Sequence, residues 1–327
     1  MRKAIAAIGV CLAVLAGGPA ASATLAENNE AMFRLMQEKR GVTAAQISRI
    51  RQIFNASGMA GQGNPAVTRH PMTPAQAAAK VPGDPYQYYR NAQFERICGR
   101  KYMAPLYDPA TERPQDATVC IDMFEYPNVP MAYPVTWISA REAALTCAAE
   151  GKRIGDAHEW EGAAAGALLA PDYRFDLGSH GAMRSWHNAK WGQSKSWTYG
   201  PQWRRGICAQ NSSKSPGCNG GSWSGCGTNT YPVGSFPNCR SGLGVYDLEG
   251  NAAEHMNLPL APGQMASRGS TTLGVTEMKG SWFIWDKIRA HEEWARWRAP
   301  FWHGTRVLST GSHRNYHLGF RCFRDVK

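Results

Sequence analysis

After residue 24 the chain has no apolar run long enough to cross a bilayer, so no span is expected in the mature protein. It has no CxxC pair, which weakens both the thioredoxin-like reading and a zinc site. Internal repeats are missing, which excludes a solenoid or propeller. Acid is scarce: 25 Asp and Glu stand against 36 Lys and Arg, giving a formal charge of +11. That surplus suits anionic envelope surfaces or acidic ligands. No interleaved aromatic and basic motif accompanies it, so nucleic acid is not an expected partner. Helical and strand periodicity is absent from Asp172 to Phe236. Finally, no cysteine lies between Cys239 and Cys322.

What is present begins with an export signal. Arg2 and Lys3 precede an apolar run from Ala4 to Ala16, and Ala21-Ser22-Ala23 is a small-residue cleavage site. Residues 1–23 therefore read as a signal peptide, and the mature protein is expected to be periplasmic or secreted. Its removal leaves Cys98, Cys120, Cys147, Cys208, Cys218, Cys226, Cys239 and Cys322, an even set that favours disulfides in an exported chain.

Residues 24–117 read as a helical prefix and a wrapping segment. Glu27 to Lys39 carries Met32, Phe33, Leu35 and Met36 on one side, and Thr43 with Gln46 forms a capping box for a second helix. In that helix Ile47, Ile50, Ile53 and Phe54 recur at helical spacing. Residues 118–327 read as the main domain. Val119 to Phe124 is an expected strand. Ser139 with Glu142, and Asp156 with Glu159, cap two helices ending near Gly151 and Leu168. Gly280 to Phe283 and Leu318 to Phe323 are expected strands.

Local motifs then follow in a fixed order: CIDMFEYPN (120–128), PVTWISAREAALTCAAEGKR (134–153), HEWEGAAAG (158–166), YPVGSFPN (231–238), GVYDLEGNAAEH (244–255), MKGSW (278–282) and LGFRC (318–322). Their order and spacing resemble the formylglycine-generating enzyme, or sulfatase-modifying factor, family. The resemblance implies an α+β chain with a variant of the C-type lectin-like fold, poor in regular secondary structure and here preceded by a short helical segment. It implies a Cys147–Cys322 disulfide. The family's second bridge would fall on Ala164 and Ala295 and is missing. Nearest-neighbour pairing gives Cys98–Cys120, Cys208–Cys218 and Cys226–Cys239 for the rest.

In the family's oxidases two cysteines after the GGS motif bind copper, one of them engaging the substrate cysteine. Here those positions fall on Ile284 and near Ile288 to Ala290. Formylglycine synthesis by the copper–cysteine mechanism is therefore not expected. The superfamily also includes the sulfoxide synthases of ergothioneine biosynthesis and a pyoverdine-maturation protein. The latter shares a periplasmic location and the missing cysteine pair.

Other chemistry remains. Asp247-x-x-Gly250-Asn251-x-x-Glu254 offers hard oxygen ligands around a glycine turn. The resemblance implies a structural calcium held by the side chains of Asp247 and Glu254 and the carbonyls of Gly250 and Ala252. His291, Glu292, His303 and His313 are the candidate catalytic residues, as ligands of iron or copper. Trp282, Trp285, Arg289, Arg296 and Arg298 are candidates for a groove that stacks and hydrogen-bonds a ligand. Two functions follow as expectations. One is a metal-dependent oxidative maturation of a peptide or small molecule in the periplasm. The other is a non-catalytic module binding a peptide or an anionic glycan.

Overall fold

The computed structural model describes residues 23–300 and 304–326. The signal segment, apart from its last residue, and His303 lie outside them. Helix α1 (Leu25–Arg40) opens on a capping box in which Thr24 and Glu27 satisfy each other's backbone N–H groups, and Gly41 closes it at φ +73°. Helix α2 (Ala44–Ser57) repeats the device with Thr43, Gln46 and Gly58. Three short helices follow: α3 (Pro74–Ala78), α4 (Pro85–Tyr88) and α5 (Ala92–Cys98).

Strands β1 (Met103–Leu106) and β2 (Val119–Asp122) come next, then helix α6 (Ala140–Ala149), capped by Ser139 and Glu142. Strand β3 (Arg153–Ile154) leads into helix α7 (Ala157–Ala165), and helix α8 (His180–Trp191) lies inside the stretch that carried no periodicity. Only Met183 and His187 of α8 are buried, so its sequence signal was one i, i+4 pair. Strands β4 (Ala253–Leu258), β5 (Val275–Lys279), β6 (Leu318–Gly319) and β7 (Cys322–Asp325) complete the order.

The expected strand at Gly280 to Phe283 is displaced to β5. Gly280 ends that strand at φ +72°, where a Cβ would come 2.6 Å from the Leu248 carbonyl oxygen. Trp282, Phe283 and Ile284 then turn into a buried aromatic cluster with Trp137 and Tyr316.

The strands form two small sheets, giving an α+β fold. One runs β1-β2-β7-β3, all antiparallel; the other runs β5-β4-β6, with β4 and β6 parallel. The two prefix helices are not a separate layer. Met32, Phe33, Met36, Ile47, Ile50 and Phe54 share one core with Tyr126, Val135, Ile138, Ala143 and Phe320.

Four disulfides staple the loops. Cys147–Cys322 and Cys98–Cys120 match expectation. The remaining two do not: the pairs are Cys208–Cys239 and Cys218–Cys226, not Cys208–Cys218 and Cys226–Cys239. The reason is tertiary. Ala209 bridges to Gly250, and the Asp247 N–H donates to the Cys239 carbonyl, so both cysteines reach the same turn.

Candidate functional site

The segment after β5 builds a cavity of about 150 Å³ lined by Trp197, Trp203, Trp285, Arg289, His291, Glu292 and Glu293. It joins four of the residues expected from sequence: Trp285, Arg289, His291 and Glu292. Trp197 also lines a neighbouring open groove of about 720 Å³, with Ala165, Gly166, Tyr199, Arg240 and Gly242 along it. The Arg289 guanidinium lies 3.9 Å from the centre of the Trp203 ring, a cation–π contact on the cavity wall. His291 packs among Trp282, Trp285 and Trp297, stacked on the last at 4.9 Å. Burial there pulls its pKa down to about 4.

Glu293 was not among the candidates, yet it is the cavity's buried carboxylate. The Trp203 indole N–H donates to it at 2.7 Å, and the Ser281 hydroxyl and Gln210 amide donate to its other oxygen, each at 2.5 Å. Burial raises its pKa to about 7. Its signal in the sequence was only adjacency to His291 and Glu292.

Other candidates stand elsewhere. Arg298 and Arg296 do not form a ligand groove; this expectation is corrected. The Arg298 guanidinium is buried, donating to Glu161 and Asp172, and the Arg296 guanidinium donates to the Ala167 carbonyl and covers Trp191. Glu161 of α7 and Asp172 before α8 draw Arg298 inside, whereas Arg296 is held by a carbonyl and an indole face. Trp282 belongs to the aromatic cluster rather than to the cavity lining. His313 follows Ser312, whose hydroxyl accepts from the Arg141 N–H at the start of α6, so it does not line the cavity.

Among the described residues, the one group of three acids and histidines with metal-ligand spacing is Glu161, Asp172 and His187, not His291, Glu292 and His313. That group already has its positive charge. Lys279 Nζ donates to Glu161 at 2.6 Å, Arg298 bridges Glu161 and Asp172, and Lys190 meets Asp172. It is an ion-pair network tying α7 and α8 to the loop after β5.

The turn proposed for calcium does bring its residues together. Asp247 accepts from the Gly234 N–H at 2.6 Å, and Glu254 accepts from both Arg321 nitrogens, at 2.7 and 2.6 Å, and from the Trp160 indole N–H. Glu125 is a third carboxylate beside them, accepting from Asn251 and the Ala252 N–H. Burial raises Asp247 to about 7 and pushes Glu125 and Glu254 up as well. Three carboxylates stand beside one guanidinium, although they are not a group whose ligand atoms converge at metal-ligand spacing among the described residues. Glu254 is the poorer ligand, since both of its oxygens already serve Arg321. Asp247 with the Gly250 and Ala252 carbonyls would hold the ion.

The model of the sulfatase-modifying factor enzyme 1-like domain matches residues 91–326. The chain belongs to that family. The match takes in α5 and β1, which pairs with β2 in the first sheet. Among solved structures, the crystal structure of CarF is similar at 13% identity and a TM-score of 0.37, covering 64% of this chain and 87% of that one. No curated protein matches the sequence. Within this sulfatase-modifying-factor chain all eight cysteines from Cys98 to Cys322 are paired in disulfides.

Proposed function

We propose that this family member is an exported binding module on a C-type lectin-like variant of the fold. Its tryptophan-lined cavity and adjoining groove would hold an extended peptide. The observation that carries the reading is the cavity itself, three indoles around Arg289, Glu292 and Glu293, built largely from the segment after β5. Indole faces bind by stacking and cation–π contact, with little entropy lost. Two carboxylates against one guanidinium favour a peptide with polar or basic side chains over an anionic glycan. Four disulfides support an oxidising compartment, periplasmic or extracellular. No described helix is long and apolar enough to cross a membrane. Calcium at the Asp247 turn would act as a structural brace.

The alternative, metal-dependent oxidative maturation with iron or copper, rests on His291 and Glu292 within the cavity. Peptide and glycan arrays probed with residues 24–327 decide between them. Peptide binding that weakens about tenfold in Trp203→Ala, a loss of roughly 1.4 kcal/mol, supports the module. Oxidation of a bound peptide dependent on added iron or copper would replace it with the enzyme reading. A sulfatase-type cysteine peptide should give no aldehyde on incubation with the protein, by mass spectrometry.

A further inference from the structure

We infer that Glu249 and Glu293, with Gln210 and Thr198, form a second oxygen-lined site that takes a calcium ion behind the floor of the tryptophan-lined cavity, braced by Ser281. The first ground is charge. Most buried acids in this protein meet an internal cation: Glu150 and Asp122 meet Arg40 and Lys152, Glu159 meets Arg153, Glu161 meets Lys279 and Arg298, and Glu254 meets Arg321. Asp156 lacks one but receives four donors, from Asn257, Ala266 and Ser267. Among the described residues Glu249 and Glu293 have neither arrangement in full. Glu249 is fully buried and is repelled by Glu293. Among the described residues no ion pair within 4.0 Å reaches either carboxylate, although the Arg289 guanidinium attracts Glu293 from further away.

The second ground is independent of charge. Glu249 Oε1 accepts from the Thr198 N–H at 2.8 Å, but Glu249 Oε2 has no hydrogen-bond partner. Gln210 Oε1 and Thr198 Oγ1 are also buried and unpartnered. Both side chains are more than nine-tenths buried. Buried polar atoms left unmet forfeit their hydration with nothing in return. Two of the three accept only, so what meets them must carry positive charge or protons.

Short links hold these groups together. Gln210 Nε2 donates to Ser281 Oγ at 2.9 Å and to Glu293 at 2.5 Å, and Ser281 Oγ accepts from the N–H of Gly250, the residue after Glu249. Gly250 sits at φ +87°, and a Cβ there would come 2.7 Å from Gln210 Cγ, so the glycine lets Gln210 close on the turn. Carboxylate, amide and hydroxyl oxygens are the donor set of a hard cation, and calcium accepts such mixed, irregular coordination more readily than magnesium. This site is distinct from the Asp247 and Glu254 turn, although the two share the segment 247–254. Glu293 belongs to both this site and the cavity lining, so calcium here would offset part of the cavity's negative charge.

The test uses residues 24–327 stripped of metal with chelator, and calcium chloride alone as probe. Isothermal titration should show a calcium-binding event that survives Asp247→Asn and weakens at least tenfold in Glu249→Gln and Glu293→Gln. Terbium, excited through tryptophan, provides a readout on the unaltered carboxylates. Its luminescence should fall in Trp203→Phe, beside Glu293, and persist in Trp160→Phe, beside Glu254. Absence of calcium binding to the wild-type protein would overturn the inference. So would binding lost in Asp247→Asn but kept in Glu249→Gln, or terbium luminescence that depends on Trp160 and not on Trp203.

Discussion

His70 lies face to face with Tyr133, ring centres 3.5 Å apart, with Nδ1 2.9 Å from the Thr230 carbonyl oxygen. Burial pulls its pKa down to about 4 from 6.5. A histidine held neutral in the fold contributes stability that is complete above the unfolded value and is lost as pH falls from about 6.5 to 4. His291 acts in the same direction. Glu277 opposes them: burial raises its carboxyl to about 7, so its contribution is complete below 4.5 and is lost as pH rises through 7. Urea melts at pH 7.5 and 4.5 should therefore show a smaller acid loss in His70→Gln than in the wild type. An equal loss in both would mean that His70 is not held neutral. At the same scale, Glu161→Gln leaves buried Lys279 with Glu277 at 3.8 Å and Arg298 with Asp172 alone, and should cost about 3–5 kcal/mol by chemical denaturation. None of this was legible in the sequence. Arg298 read as a groove residue because nothing in its neighbours told that Glu161, 137 positions away, would bury beside it.

Elements show a different balance. The start of α2, α6 and α7 could be read from Thr43, Ser139 and Asp156 with their partners three residues on, because a capping box is a local bargain between backbone and side chain. Helix α8 could not, since its residues are weak formers and its packing relies on two side chains. Strand β5 was displaced because the sequence does not show that Gly280 must take positive φ against Leu248. Among the disulfides, Cys147–Cys322 came from the family resemblance. It joins α6 to β7 across 175 residues, and Cys147→Ser with Cys322→Ser should cost on the order of 5 kcal/mol on the chain-entropy account. Thermal melts of the double variant check this. A change within 1 kcal/mol would show that the unfolded chain is already constrained by the other three bridges.

For the whole molecule, the prefix helices matter more than a prefix suggests. They supply six side chains to a core shared with the domain, so deleting residues 24–58 opens that core to water. At about 25 cal/mol per Å² of apolar surface, the loss exceeds typical domain stability. The shortened protein should aggregate or bind a hydrophobic dye, and a soluble monomer with an unchanged melting temperature would refute the shared core. Half of the candidate site was legible at this scale: the cavity falls after β5, where the family resemblance directed attention. Its two buried acids were missed, because burial comes from chain segments 40 or more residues apart, as Glu249 and Glu293 show. The first sheet has a further consequence. Its strand order is β1-β2-β7-β3, so the strand latest in sequence lies between two earlier ones. Until β7 inserts, β2 and β3 each present a bare edge with unmet hydrogen-bonding groups. From the emergence of β3 at Arg153–Ile154 until β7 at Cys322–Asp325, about half of its synthesis, the growing protein therefore carries two adhesive seams open to mispairing.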